Sequence, residues 1–228
     1  MLTAIIVAAG SSRRMGFDKL FAEIASQPVI THTIAAFEHT ASITAIVVVA
    51  REDRHSEIKE IVRNQKFKKI NSIVRGGAHR QDSVRGGLEN LPDSARYVAV
   101  HDAARPLVTP EQIARVYEAA QKNGAAALAA PVLDTLKRAD VDLLVNGSVD
   151  RHQLFAMQTP QIFERKMIEE AYHRVFADTI SVTDEVSAIE RIGGEITLVA
   201  NEQPNFKITY PGDLPLAEFV LNQRAKSG

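Results

Sequence analysis

Apolar residues fall in short, nearly unbroken runs along this chain, separated by longer amphipathic segments. The runs Ala4–Ala8, Ala45–Ala50, Ile70–Val74, Tyr97–Val100, Ala125–Val132 and Ile196–Val199 are rich in Val, Ile and Ala. They mostly lack polar alternation, the pattern of parallel strands covered on both faces. Between them, "PVITHTIAAFEHT" begins with Pro28, suited to a first helical turn, and repeats apolar residues at Ile30, Ile34 and Phe37. "RQDSVRGGLENL", "TPEQIARVYEAAQKNG" and "PGDLPLAEFVLNQRA" read as helices as well, with Thr109 as N-cap, Pro110 at the first helical position and Gly124 as a stop. Alternating strands and helices predict a layered α/β fold with a mostly parallel sheet. Ligands of such sheets bind at the carboxyl ends of the strands.

One segment breaks the alternation. "VDLLVNGSVDRHQL" sets Asn146-Gly147, a preferred pair for a two-residue hairpin turn, between two strand-like runs. A hairpin here is an excursion from the main sheet. Either it folds back on its own domain, or it projects as an arm over about residues 137–157 and needs a partner surface for Leu143, Leu144 and Val145. The projecting arm predicts a homodimer.

Composition narrows the picture. At 228 residues the chain fits one domain, 1–228, with a sizeable core. A formal net charge of -1 gives no global basic field, so neither nucleic acid nor a membrane surface is an expected partner, and anions must be bound by local clusters. With no cysteine, thiolate metal sites, disulfides and cysteine nucleophiles are excluded. "MLTAIIVAAGSS" lacks the basic start of a signal peptide, so a soluble cytoplasmic protein is expected.

The loops after the strands carry the chemistry. "AAGSSRRMGFDK" (Ala8 to Lys19) follows the first strand with small residues, whose backbone N–H groups can approach an anion, and with Arg13, Arg14 and Lys19 as cations. A phosphate-bearing ligand suits it better than a solvated basic turn, although neither the Walker A ending nor G-x-G-x-x-G is present. In "YVAVHDAARP", Asp102 lies just past a buried strand, placed either to hold Mg²⁺ or to cap a turn and pair with Arg105. "RGGAHRQDSV" offers Gly76, Gly77 and Ser83, and "APVLDTLKR" offers Asp134, Thr135 and Lys137; each reads equally as a turn or cap. "NFKITYPGDL" sets Lys207 in a short strand, where a lysine ordinarily points to solvent. "KFKK" at Lys66–Lys69 reads as a solvated helix end.

In this order, "AAGSSRRMG", "GGAHRQDSV", "VHDAARP", "APVLDTLKR", "VDR" with "TPQ", "TDEVSAIE" and "FKITYPGDL" resemble the 2-C-methyl-D-erythritol 4-phosphate cytidylyltransferases. The resemblance runs over nearly the whole chain, and "VHDAARP" with "TPQ" and "TDE" is specific in combination; the opening loop alone is shared with many nucleotidyltransferases. It implies a Rossmann-like three-layer nucleotidyltransferase fold with a projecting β-hairpin arm, CTP as co-substrate, Mg²⁺ as cofactor and a homodimer. Arg14 and Lys19 would hold the triphosphate and stabilise the attacked phosphoryl group, and Asp102 would bind Mg²⁺. Ala8, Ala9, Gly10, Gly76 and Ser83 would line the cytidine pocket. Arg105, Thr135, Arg151 and Lys207 would contact the sugar-alcohol phosphate, Arg151 and Thr135 from the partner chain, with Lys207 also serving the transfer itself. Ser12 stands where the family usually has a second glycine, and Ala78 where some members have an acidic residue. "RRMGFDK" is also similar to guanylyltransferases of molybdenum-cofactor synthesis, and ribitol 5-phosphate cytidylyltransferase is the alternative activity.

Overall fold

The structure is a computed structural model that describes residues 1–12 and 15–227. In chain order its elements are β1 Leu2–Ala8, β2 Glu23–Ile24, β3 Gln27–Pro28, α1 Val29–His39, β4 Ile43–Ala50, α2 His55–Gln65, β5 Ile70–Arg75, α3 Arg80–Leu88 and β6 Tyr97–Asp102. There follow α4 Pro110–Asn123, β7 Ala125–Pro131, β8 Leu136–Ala139, β9 Val145–Val149, β10 Phe155–Glu164, α5 Arg165–Ala177, α6 Glu185–Glu190, β11 Thr197–Ala200 and α7 Asp213–Ser227.

Among the described residues, seven strands form one sheet in the order β11-β7-β10-β6-β1-β4-β5. β1 runs parallel to β4 and β6, β4 to β5, and β7 to β11. The unalternating apolar runs are explained by burial on both faces: Ile5 enters one core layer, while Ala4 and Ile6 enter the other. α1, α2, α4 and α7 cover one face through Ile30, Ile34, Phe37, Ile58, Ile113 and Ala217. α3, α5 and α6 cover the other through Val84, Leu88, Ile168, Val175 and Ile189. This is the expected three-layer α/β architecture. The predicted ends of α4 hold too, with Thr109 and Gln112 forming a reciprocal capping box and Gly124 at φ 83° closing the helix.

β10 has no counterpart among the expected strands. It lies between β6 and β7 and runs antiparallel to both. Gln158, Thr159 and Gln161 interrupt its apolar pattern, and Pro160 lacks the N–H a central strand normally donates. The ladder accommodates the proline with a break in its pairing to β7 between Met157 and Gln161.

Two local expectations are corrected. Asn146-Gly147 does not form the hairpin turn; both residues lie inside β9, where Gly147 pairs with Arg138. The chain turns earlier, because the Asp140 carboxylate accepts from the N–H groups of Asp142 and Leu144 and Leu143 takes φ 63°. A local carboxylate-to-backbone turn has outcompeted the Asn-Gly signal. Nor does Lys207 sit in a strand. Its segment has no regular secondary structure and is tied to the turn after β6, where Ile208 N–H donates to Ala104 O. No helix among the described residues is long and apolar enough to cross a membrane.

Candidate active site

The carboxyl ends of β1, β5 and β6 open on one side of the sheet and build a cavity of about 430 Å³. Ala9, Gly10, Ser12 and Lys19 from the first loop, Ala78 from the β5–α3 turn, Ser83 from α3, and Asp102 and Lys207 line it. A second lobe of about 450 Å³ shares Arg80, Asp102 and Lys207 with the first and extends along β10 to Arg105, Gln158 and Gln161. The two lobes meet at Asp102.

The turn between β5 and α3 shows why its glycines are there. A Cβ on Gly76 would lie 2.2 Å from Ala9 Cβ, so only glycine lets this turn close against the first loop. A Cβ on Gly77 would lie 2.3 Å from Asp82 Cβ. Ser83 Oγ accepts from Gly77 N–H and donates to His79 O, which locks the turn onto α3. On the opposite wall, Ser12 takes φ 51°, a left-handed conformation that favours glycine, and its buried hydroxyl has no partner among the described residues. Lys19 Nζ donates to Ile208 O at 2.6 Å, joining the first loop to the segment that carries Lys207.

Asp102 is the electrostatic centre. Oδ1 accepts from Arg80 Nε at 3.0 Å and Oδ2 from Lys207 Nζ at 2.8 Å. Burial alone would push its pKa up, but the charges of Arg80 and Lys207 hold the carboxyl well below the usual carboxylate range. Arg80 continues to Glu185, with both carboxylate oxygens engaged at 2.6 and 2.9 Å. Removing one member of such a buried pair costs about 3–5 kcal/mol, because the other charge is left uncompensated. Burial works against the Arg80 cation, yet the two carboxylates outweigh it and hold the guanidinium charged.

Beneath Asp102 runs a polar chain with a determined direction. Asp102 N–H donates to Thr159 Oγ1. Arg105 O can only accept, so His101 Nε2 carries the ring proton and donates to it, which leaves Nδ1 of the neutral ring to accept from the Thr159 hydroxyl at 3.0 Å. Burial pushes this imidazole down to about 3, so it stays neutral as the chain requires. The cis Thr159–Pro160 bond lies at the same point. Arg105 spans the second lobe and donates to Asn205 O and Met157 O, while its buried Nε has no partner among the described residues.

Of the residues singled out from sequence, Ala9, Gly10, Lys19, Ser83, Asp102 and Lys207 line the first lobe and Arg105 the second. Gly76 stands behind the wall against Ala9, and Ala8 turns its side chain into the core. Arg14 lies outside the described residues. Thr135 and Arg151 are not brought to the cavity; both are exposed near the base of the β8–β9 hairpin, where Arg151 donates to Leu133 O. Asp102 pairs with Arg80 and Lys207 through its side chain and meets Arg105 only through the Arg105 N–H to Asp102 O turn bond. Lys207 turns inward to that carboxylate.

Sequence reasoning assigned no role to Arg80, Thr159, Gln161 and Glu185, although all four lie in the motifs that carry the resemblance. Arg80 left a trace, since a cation at the first residue of a helix opposes the macrodipole and calls for an acidic partner.

Among the described residues no group of three or more His, Asp or Glu side chains could hold a metal ion. A lone carboxylate kept ionised nonetheless suits Mg²⁺, which takes one or two protein carboxylates and fills its remaining positions with phosphate oxygens and water. The residues thus fit a cation that arrives with a polyphosphate.

Residues 2–223 match the protein family described as "IspD: 2-C-methyl-D-erythritol 4-phosphate cytidylyltransferase". A 2-C-methyl-D-erythritol 4-phosphate cytidylyltransferase of Dehalococcoides mccartyi is 40% identical over 221 residues, covering 96% of both chains. One from Bacillus cereus is 39% identical over 228 residues, covering 99% of this chain and 100% of its own. The 4-diphosphocytidyl-2C-methyl-D-erythritol synthase structure from Anaerococcus prevotii superposes with a TM-score of 0.86 at 31% identity, covering 97% of this chain and 96% of that one. The Thermus thermophilus 2-C-methyl-D-erythritol 4-phosphate cytidylyltransferase structure gives 0.80 at 30% identity, covering 96% and 98%.

Proposed function

The chain belongs to the 2-C-methyl-D-erythritol 4-phosphate cytidylyltransferase family, and from that premise we propose how its own residues divide the work. The activity is transfer of CMP from CTP to 2-C-methyl-D-erythritol 4-phosphate, releasing pyrophosphate and forming 4-diphosphocytidyl-2-C-methyl-D-erythritol. The family match favours this acceptor over ribitol 5-phosphate. The observation that carries the assignment of roles is the meeting of two lobes at one carboxylate flanked by Arg80 and Lys207.

CTP occupies the first lobe. Its base lies against the closed Gly76 turn, beside Ser83 and the backbone of Ala8, Ala9 and Gly10. Lys19 and Arg14 hold the triphosphate. The Ser12 hydroxyl, which has no partner among the described residues, is a further donor to it. Asp102 would hold Mg²⁺, and an ion bound there would supply neutralisation of phosphate charge.

The acceptor phosphate enters the second lobe, where Arg105 and Lys207 meet it. Thr135 and Arg151 come from the arm of a second copy, which makes the working unit a homodimer of single-domain chains with an arm at about 137–157. An oxygen of the acceptor phosphate attacks the α-phosphorus of CTP; the new P–O bond forms as the bond to the β-phosphate oxygen breaks. That phosphate is ionised at neutral pH, so no general base is needed. What the reaction requires is alignment and fixed positive charge at the phosphorus, and Lys19, Arg14 and Lys207 supply both. The reading is tested by pyrophosphate release from CTP and Mg²⁺ with methylerythritol phosphate, run beside ribitol 5-phosphate and beside GTP. Release confined to CTP with methylerythritol phosphate supports it; silence on that pair overturns it.

A further inference from the structure

Glu185 is fully buried, yet a transfer between two phosphates needs no carboxylate at that depth. Every group around it is engaged. Arg80 donates to both of its oxygens, and the Tyr172 hydroxyl donates to Oε1 at 2.9 Å. The N–H groups of Glu185 and Val186 donate to Gln161 Oε1, and Gln161 Nε2 donates to Asp184 Oδ2 at 2.9 Å. The carboxylate is therefore held from α5 through Tyr172 and from α3 through Arg80, while β10 holds the Glu185 backbone through Gln161.

A guanidinium is planar and rigid, so two bonds at its far nitrogens fix the direction of Nε as well. That Nε is the donor to Asp102 Oδ1. The other oxygen, Oδ2, is held by a lysine whose flexible side chain is 38% exposed. The two partners of Asp102 are thus unlike: one is clamped from behind, and the other ends a mobile chain that faces both lobes.

We propose that Glu185 is a positioning residue of the transfer site, which clamps Arg80 so that Asp102 Oδ1 stays fixed and Oδ2 alone is free to exchange Lys207 for a ligand. The proposal rests on the reading of Asp102 as the carboxylate of that site. Tyr172 and Gln161 serve Glu185 in turn, so the clamp reaches from the covered face of the sheet to the open cavity.

Glu185→Gln keeps the shape of the side chain but removes its charge and one acceptor. Its expected effect is a fall in kcat of about 10–100-fold, the range for residues that orient a metal-holding ligand. KM for methylerythritol phosphate should move by less than about 3-fold, since the residue does not touch it, while KM for CTP should rise with the loss of Mg²⁺-dependent affinity. Tyr172→Phe removes a single hydrogen bond and should lower kcat by about 2–10-fold while keeping the fold should Glu185→Gln not fold. Calorimetric titration of CTP in Mg²⁺ and in EDTA supplies a readout apart from turnover: the gain in affinity from Mg²⁺ should shrink about 10-fold in Glu185→Gln, with binding in EDTA unchanged. Folded variants with wild-type kcat and an undiminished Mg²⁺ gain would overturn the proposal, as would a loss of activity that merely tracks the folded fraction. Pyrophosphate release by the wild type tests the functional reading separately, and the calorimetric arm bears on the clamp whatever that result.

Discussion

The surroundings of Asp102 and the β8–β9 hairpin are opposites within one chain. Around Asp102 a single copy supplies nearly every partner: Arg80, Lys207, Thr159, His101 and, behind them, the buried Glu185. In the hairpin, apolar side chains have nothing to cover them; Val141 is 96% exposed and Leu143 84%. Thr135 and Arg151 belong to that uncovered region. Charges are paired inside the fold, whereas the arm, to which we assign two contacts with the second substrate, leaves its apolar side chains uncovered within this chain.

The contrast can be broken at several points. Lys207→Ala or Lys19→Ala should lower turnover by about 10²–10³, the cost of losing one preorganised charge at a developing anion. Lys207→Ala leaves the buried Asp102 with Arg80 as its remaining cationic partner and should also lower the thermal midpoint, so turnover is compared per folded enzyme; near-normal turnover in both purified variants would remove their roles. Next, Gly76→Ala drives a methyl group into Ala9 and should destabilise the fold by about 1–3 kcal/mol, as overpacking does. Urea unfolding measures it, and wild-type stability would show that the first loop can retreat at no cost.

Acid probes the same centre. His101 titrates near 3 when folded against about 6.5 when unfolded, so above pH 6.5 both states are neutral and its contribution is complete. Below that the unfolded chain takes up a proton the folded chain refuses, and stability falls by up to about 1.4 kcal/mol per pH unit until the folded value is reached. Asp102, held low, acts with the same sign at more acidic pH, its contribution lost once the carboxyl protonates. His101→Gln should flatten the slope between pH 6.5 and 5; an unchanged slope would place the proton uptake elsewhere.

The smallest effect on the single chain is expected at the arm. Val141→Asp with Leu144→Asp should alter unfolding of the isolated chain by no more than about 0.5 kcal/mol, as surface changes do. The same pair should convert a dimer to a monomer by light scattering and abolish transfer. A monomer with full activity would defeat the role given to the arm.

Much of this architecture was legible in sequence because parallel strands announce themselves: Ile5, Ile6 and Val47 to Val49 are buried on both faces and need no alternation. β10 was hidden because the residues that make it useful, Thr159 and Gln161, spoil the apolar pattern by which strands are found. The first-loop and β6 residues were legible because the chemistry sits directly beside a strand end. Arg80 and Glu185 were not, since they lie 105 positions apart and only folding brings them together. The Asn146-Gly147 turn failed for a local reason, the stronger pull of the Asp140 carboxylate.

The placement of β10 has a consequence for how the chain is made. β6 is complete by residue 102, but its neighbour on that side arrives only with residues 155–164. During synthesis the segment from Tyr97 to Asp102 therefore waits as an unpaired, apolar edge, the kind of surface on which nascent chains associate wrongly. The contacts of Asp102 and Lys19 with the Lys207 segment close later still, across 105 and 189 residues. Competence is thus among the last properties the growing chain acquires, and the interval before it is when a chaperone has most to shield.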